Sequence, residues 1–163
     1  MADARSIAEV HVHAWQWAYR GHMPDDLLDG LSVVAREATW QRMLSGEAQA
    51  VGVWLADIAG VTVGFSAAGP AREADEPAHV GELYAIYLER SAIGHGIGRR
   101  LLDQAAIGLS ERGFHAGMLW VLESNERARR LYEAAGWTQD GAMKCEALGA
   151  CIVRELRYRI DLK

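Results

Sequence analysis

The sequence predicts a single α/β domain built on a mixed sheet. Two observations carry that reading. The elements run as helices, then a β-meander, then β-α-β-α-β-β. A glycine-rich loop also joins the central strand to the helix that follows it. The 163 residues suffice for one hydrophobic core. No repeat, low-complexity tract or linker divides them, so residues 1–163 are read as one domain.

Asp3 is suited to cap a first helix from Ala4 to about Arg20, with Ile7, Val10, Ala14, Trp17 and Ala18 recurring at helical spacing. Gly21–Asp29 breaks it, and Pro24 suits the first turn of a short second helix. A third helix, about Val33–Ser45, would bury Val34, Trp40 and Leu44. Val51–Ile58 and Val61–Ala68 are strand-like and flank Ala59-Gly60, a tight-hairpin signal. Pro70–Pro77 is polar and acidic and reads as an exposed loop.

Val80–Glu89 is the next strand. A helix over Ile97–Arg112 keeps Ile97, Leu101, Ala105 and Leu109 in register and ends at Gly113. Gly117–Glu123 is an apolar strand, and Asn125–Ala135 is an amphipathic helix ended by Gly136. Trp137–Lys144 and Cys151–Asp161 then pair as a terminal hairpin around Leu148-Gly149.

Composition narrows the function classes. Half of the residues are hydrophobic and 24% are charged, an ordinary globular balance. A net charge of −5 disfavours nucleic acid and anionic membranes as partners. No apolar run reaches the ~20 residues that span a bilayer. Polar residues occupy the N-terminus where a signal peptide needs its apolar centre, so a cytoplasmic location is expected. Cys145 and Cys151 flank a hairpin turn and read as free thiols. His11 and His13 lie two apart on a helix and diverge, so no metal is expected.

The chemistry concentrates in Gly81–Arg100. Gly94, Gly96 and Gly98 leave the backbone bare where a helix begins, and the unpaired N–H groups there suit phosphate. The spacing is wrong for a dinucleotide fingerprint, with Arg99 where the third glycine should stand, and no Gly-Lys-Ser/Thr follows. Arg99 and Arg100 in the first helical turn oppose the helix dipole, a cost that a bridging anion would offset.

ELYAIYLERSAIGHGIGRRLL, followed by LWVLESNERARRLYEAAGW, resembles the GCN5-related N-acetyltransferase (GNAT) superfamily. The first block is similar to the family's Q/R-x-x-G-x-G/A acyl-CoA signature, and the second to its fifth strand and fourth helix. The resemblance implies a GNAT-like fold, with a mostly antiparallel six- or seven-stranded sheet flanked by about four helices. It implies acetyl-CoA as co-substrate, with backbone groups of Ile86, Tyr87 and Leu88 pairing its pantetheine arm. The amides of Gly94, His95, Gly96, Ile97, Gly98 and Arg99 would hold the pyrophosphate. Asn125 matches the family's cofactor contact and also suits an N-cap. Tyr132 matches its general acid, although the residue also falls on a core-facing helix side.

Glu82 stands where the histone-acetylating branch carries its base, and it would act through a water. Along this strand Glu82, Tyr84, Ile86 and Leu88 alternate onto one face. The ribosomal-protein-acetylating branch carries its base where this sequence has Trp120, which cannot serve. Ile93 and Arg90 depart from the family pattern, and the usual strand ahead of the first helix is not evident.

The expected reaction is acetyl transfer to a primary amine, with a small molecule favoured over a protein N-terminus or lysine. A CoA-binding domain without turnover is the alternative. His11, His13, Trp15, Trp17, Tyr19 and His22 would form an aromatic acceptor wall, and the terminal hairpin with Trp137, Ile152 and Leu156 could support a homodimer.

Overall fold

The computed structural model describes residues 4–45, 52–148 and 151–163. Asp3, Val51 and Gly149, to which roles were given above, lie outside them. The elements are α1 (Ala4–Ala18), α2 (Asp25–Asp29), α3 (Val33–Leu44), β1 (Gly52–Ile58), β2 (Val61–Pro70), β3 (Val80–Leu88), a 3₁₀ turn (Arg90–Ala92), α4 (Ile97–Glu111), β4 (Ala116–Leu122), α5 (Glu126–Ala134), β5 (Thr138–Leu148) and β6 (Cys151–Asp161). Six strands form one sheet in the order β1-β2-β3-β4-β6-β5, antiparallel except for the parallel pair β3–β4.

Local chemistry explains most boundaries. Ala59 and Gly60 take φ of 51° and 81°, the doubly left-handed turn that matches strand twist in a two-residue hairpin. Ser32 caps α3 by accepting from the Ala35 N–H, and Asn125 caps α5 by accepting from the Ala128 N–H. Gly113 and Gly136 take positive φ just past the ends of α4 and α5.

Two apolar layers sandwich the sheet. Leu102, Ala105 and Leu109 of α4 pack with Leu83, Leu119 and Leu156 on one side, joined by Tyr132 and Trp137. Ile7, Ala8 and Val10 of α1 pack with Trp40, Phe65 and Ala67 on the other. Trp40 is buried as expected, whereas Val34 is 69% exposed. The reason is rotational. Six residues turn a helix by about 600°, which carries Val34 away from Trp40, and Val33 packs in its place. Trp137 and Leu156 are core, and of the three residues assigned to a dimer surface only Ile152 is exposed. Cys145 pairs with Arg154 in the terminal hairpin, while Cys151 pairs with Leu148, so the two cysteines are not opposite each other.

The expected alternation along β3 is interrupted. Ala67 pairs with Ala85 but Ala68 pairs with Leu83, so Tyr84 is an extra residue, a β-bulge. Leu83 and Ile86 therefore pack against the α4 layer, while Ala85 and Tyr87 pack toward α1. Glu82, Tyr84, Ile86 and Leu88 do not share one face, because the bulge breaks the two-residue period between them.

Candidate active site

The bulge lies where the sheet opens. β3 and β4 pair only over Val80–Leu83 and Ala116–Leu119. Past that point Tyr84–Leu88 keeps β2 on one edge and turns the other toward a cavity of about 1130 Å³. Strand groups left without a neighbour can pair an extended ligand that carries amides. At the end of β3 the wall continues through Ile93, Gly94, Gly96, Gly98 and Arg99.

Gly94 and Gly96 take φ of 85° and 75°, and a Cβ at either would meet no atom within 4 Å. Gly96 is the N-cap of α4 and offers no side chain, and the first N–H of the helix to find a carbonyl is Arg100's, 3.2 Å from Gly96 O. The amides ahead of it lie at the positive end of a 15-residue helix, where N–H groups without a helical partner suit an anion. His95, which is exposed, and Ile97, which packs against Leu88 and Leu101, are not among the residues that line the cavity. The Arg99 side chain is spent locally, 2.8 Å from Asp103 and 2.9 Å from the Ala134 carbonyl. Arg127 and Arg130 of α5 add cations to the same wall.

Asn125 and Tyr132 both line the cavity. Tyr132 is buried between Trp137 and Tyr158, and burial raises its hydroxyl pKa far above the ordinary phenol value. It therefore stays a neutral phenol near neutral pH.

Glu82 is 2% exposed and belongs to the same wall. Its Oε2 accepts from the Arg72 backbone N–H at 2.9 Å, and the Arg72 guanidinium grips both oxygens. Three N–H groups of Arg72 thus converge on the carboxylate, the Nε–H being shared between its two oxygens. Arg72 in turn lies over the Tyr84 ring, 4.6 Å from its centroid, and the Tyr84 hydroxyl donates to Pro70 O.

The loop containing Arg72 is pinned to the sheet rather than loose. Arg157 lies 2.7 Å from Glu76 and from Asp140, and Arg159 also contacts both carboxylates. The sequence marks this loop only as exposed, and Arg72 has no local signal that distinguishes it from any solvated arginine.

The aromatic residues expected on the acceptor side do not all meet the cavity. Trp15, Trp17, Tyr19 and His22 line the cavity. His11 is buried instead, its Nδ1 accepting from Trp40 Nε1–H at 3.2 Å, and His13 pairs with Glu89 at 2.8 Å. The sequence did not anticipate that Trp120, Lys144, Glu146 and Glu155 would meet on this wall. Among the described residues no group of three or more His, Cys, Asp or Glu side chains could hold a metal, and no helix is long and apolar enough to cross a membrane.

Residues 7–137 match the model of the acetyltransferase (GNAT) family. An uncharacterized N-acetyltransferase of Bacillus subtilis is 38% identical over 127 residues, covering 77% of this chain and 69% of that protein. Among solved structures, one from Salmonella typhimurium, described with its cofactor acetyl-CoA, superposes with a TM-score of 0.74 at 22% identity, covering 99% of this chain and 90% of the other. The PaiA N-acetyltransferase of Thermoplasma acidophilum in complex with coenzyme A gives 0.70 at 19% identity, covering 98% and 92%.

Proposed function

The chain belongs to the acetyltransferase (GNAT) family, and from that premise we propose that it transfers the acetyl group of acetyl-CoA to a primary amine within one ternary complex. The observation that carries this reading is the open edge of β3 running into the uncapped glycine start of α4, with Tyr132 buried beside the same cavity. A small-molecule amine is favoured over a protein N-terminus or lysine. What supports this is that Trp17, Tyr19 and Met23 line one part of the cavity, and Arg72 and Glu73 of the pinned loop line another.

When bound, acetyl-CoA supplies a thioester whose carbonyl carbon accepts the amine. The Ile86–Leu88 edge would hold the amide-bearing arm as a further strand would, and the amides of Gly94–Arg99 would hold the diphosphate. Asn125 serves both as helix cap and as a contact on the same wall. Tyr132 donates its proton to the departing thiolate.

Glu82 takes the acceptor's proton through a water. Its oxygens are engaged by Arg72, so proton acceptance requires that guanidinium, whose side chain is 62% exposed, to swing aside. Alignment of two bound reactants supplies much of the acceleration. A cytoplasmic setting, and a dimer formed through the exposed Ile152 end of the terminal hairpin, belong to the same reading.

Thiol release from acetyl-CoA with a panel of primary amines tests the proposal. Turnover with an alkyl or aryl amine is the expected result. Thermal stabilisation by acetyl-CoA without free CoA from any amine would instead mark a binding domain without turnover.

A further inference from the structure

The acceptor side of the cavity contains a cation of its own. Lys144 Nζ sits 4.3 Å from the centroid of the Trp120 ring and 3.3 Å from Glu155 Oε2. The strand registers assemble this trio. Leu122 and Lys144 both pair with Glu155, and Trp120 pairs with Arg157 two residues along β6, so all three side chains stand on one face of β4-β6-β5. That face is the one on which Leu122 and Val153 meet Met23 and Leu28, the side of α1 and α2. All three residues line the cavity that also holds Glu82 and Tyr132.

An ammonium over an indole face, with a carboxylate as counter-ion, is the arrangement by which proteins recognise alkylammonium ligands. Arg157 also reaches the Trp120 ring, at 5.6 Å, but three carboxylates (Glu73, Glu76 and Asp140) hold it in place. Lys144 is held more loosely, with its side chain 40% exposed against 20% for Arg157. Glu155, by contrast, is only 18% exposed, and its charge reaches across the cleft. Burial raises the pKa of Tyr19 and of Tyr87, and Glu155 adds to the rise at both.

We propose that Trp120 and Glu155 form the berth for the acceptor's ammonium group, that Lys144 is its resident ligand, and that an incoming unbranched primary alkylammonium displaces it. The inference rests on the acetyltransferase reading and deepens it by naming the acceptor class. A lysine side chain is itself an ammonium on an unbranched alkyl stem, so a ligand that replaces it is of the same kind: no bulky branch next to the nitrogen, and no anionic group facing Glu155. The resident lysine also sets a threshold, since the acceptor must compete with an ammonium that is tethered and always present.

Calorimetric titration with n-butylamine hydrochloride near neutral pH tests the berth without turnover. Lys144→Ala should bind butylammonium about tenfold more tightly than the wild type, equivalent to about 1.4 kcal/mol. Glu155→Gln added to that variant should remove the gain, and n-butanol should show no gain at all. Butylammonium affinity that is unchanged or weaker in Lys144→Ala would overturn the proposal, as would a gain that survives Glu155→Gln. Should Lys144→Ala not fold, Lys144→Met, which keeps the unbranched stem without the ammonium, takes its place, and butylammonium affinity there no tighter than the wild type's overturns the berth equally. Acetyl-CoA titrated into the same proteins separates the two readings. Failure of the wild type to bind acetyl-CoA counts against the acetyltransferase reading, whereas failure of the amine series with acetyl-CoA bound normally counts against the berth alone.

Discussion

His11 should make the protein progressively less stable as the medium turns acid, and the size of the effect follows from its surroundings. The imidazole is 8% exposed, with ring centroids of Tyr87 at 4.8 Å, Trp15 at 5.6 Å and Phe65 at 6.0 Å. Its Nδ1 accepts from Trp40, and its Nε2 is buried without a hydrogen-bond partner among the described residues. Burial, helped by the positive charge of Arg36, pushes its pKa down to about 3 from an ordinary 6.5. A folded pKa below the unfolded one means that the unfolded chain binds the extra proton in the window between about 3 and 6.5. Stability therefore rises with pH through that window and falls as pH drops below about 6.5.

A single such group loses about 1.4 kcal/mol per pH unit, so between about pH 7 and about pH 5 the loss is about 2 kcal/mol. That is a sizeable part of the 5–15 kcal/mol, roughly, that holds a domain together. The assay is urea unfolding at both pH values for the wild type and for His11→Gln, which keeps an acceptor for Trp40. A constant offset between the two proteins reports repacking; the difference in their pH dependence reports titration of His11. The wild type should lose about 2 kcal/mol more than the variant. Parallel losses in the two proteins would refute the claim that this histidine is kept neutral by its site.

Tyr132→Phe should lower kcat by about a hundredfold while leaving the acetyl-CoA dissociation constant near the wild-type value; an unaltered kcat would remove Tyr132 from the proton-transfer role. Gly96→Ala meets no atom within 4 Å, so its cost is the backbone's alone, about 1–2 kcal/mol for an L residue at φ 75°. Calorimetric melting reads that cost, and a rise in the acetyl-CoA KM reads the disturbed cradle. Gly108→Ala would place a Cβ 2.0 Å from a ring carbon of Trp54, which forces α4 off β1 and should cost about 1–3 kcal/mol by denaturation. Wild-type stability in that variant would show that Trp54 rotates away freely.

The parts legible from sequence were those fixed by near neighbours in the chain. Ala59-Gly60 specified its turn, Asn125 its cap, and the alternate glycines their bare helix start, because each depends on a few adjacent dihedrals. The sheet was readable in outline, but the alternation read for Glu82, Tyr84, Ile86 and Leu88 is broken by the bulge. Tyr84 escaped because a bulge is set by the partner strand, and nothing in GELYAIYL marks which residue is extra. Arg72 escaped for a related reason: its partner, Glu82, lies ten residues on and is brought back by the β2–β3 turn. Trp120, Lys144 and Glu155 come from three strands whose spatial order, β4-β6-β5, differs from their chain order. Each looks ordinary where it stands in the sequence. Trp120 reads in the sequence only as an unsuitable base.

The extra residue in β3 also bears on which lengths of this strand are permissible. With Tyr84 present, the strand acts as two short segments that are out of phase, one paired to β4 and one facing the cleft. Deleting that residue would restore a regular ladder and could leave the sheet intact by every spectroscopic measure of strand content. It would also remove the aromatic shelf on which Arg72 rests, and with it the grip on Glu82. A change of chain length by one residue could thus be silent for folding and costly for the site. Relatives that differ in length here should accordingly hold the carboxylate at this strand position by other means.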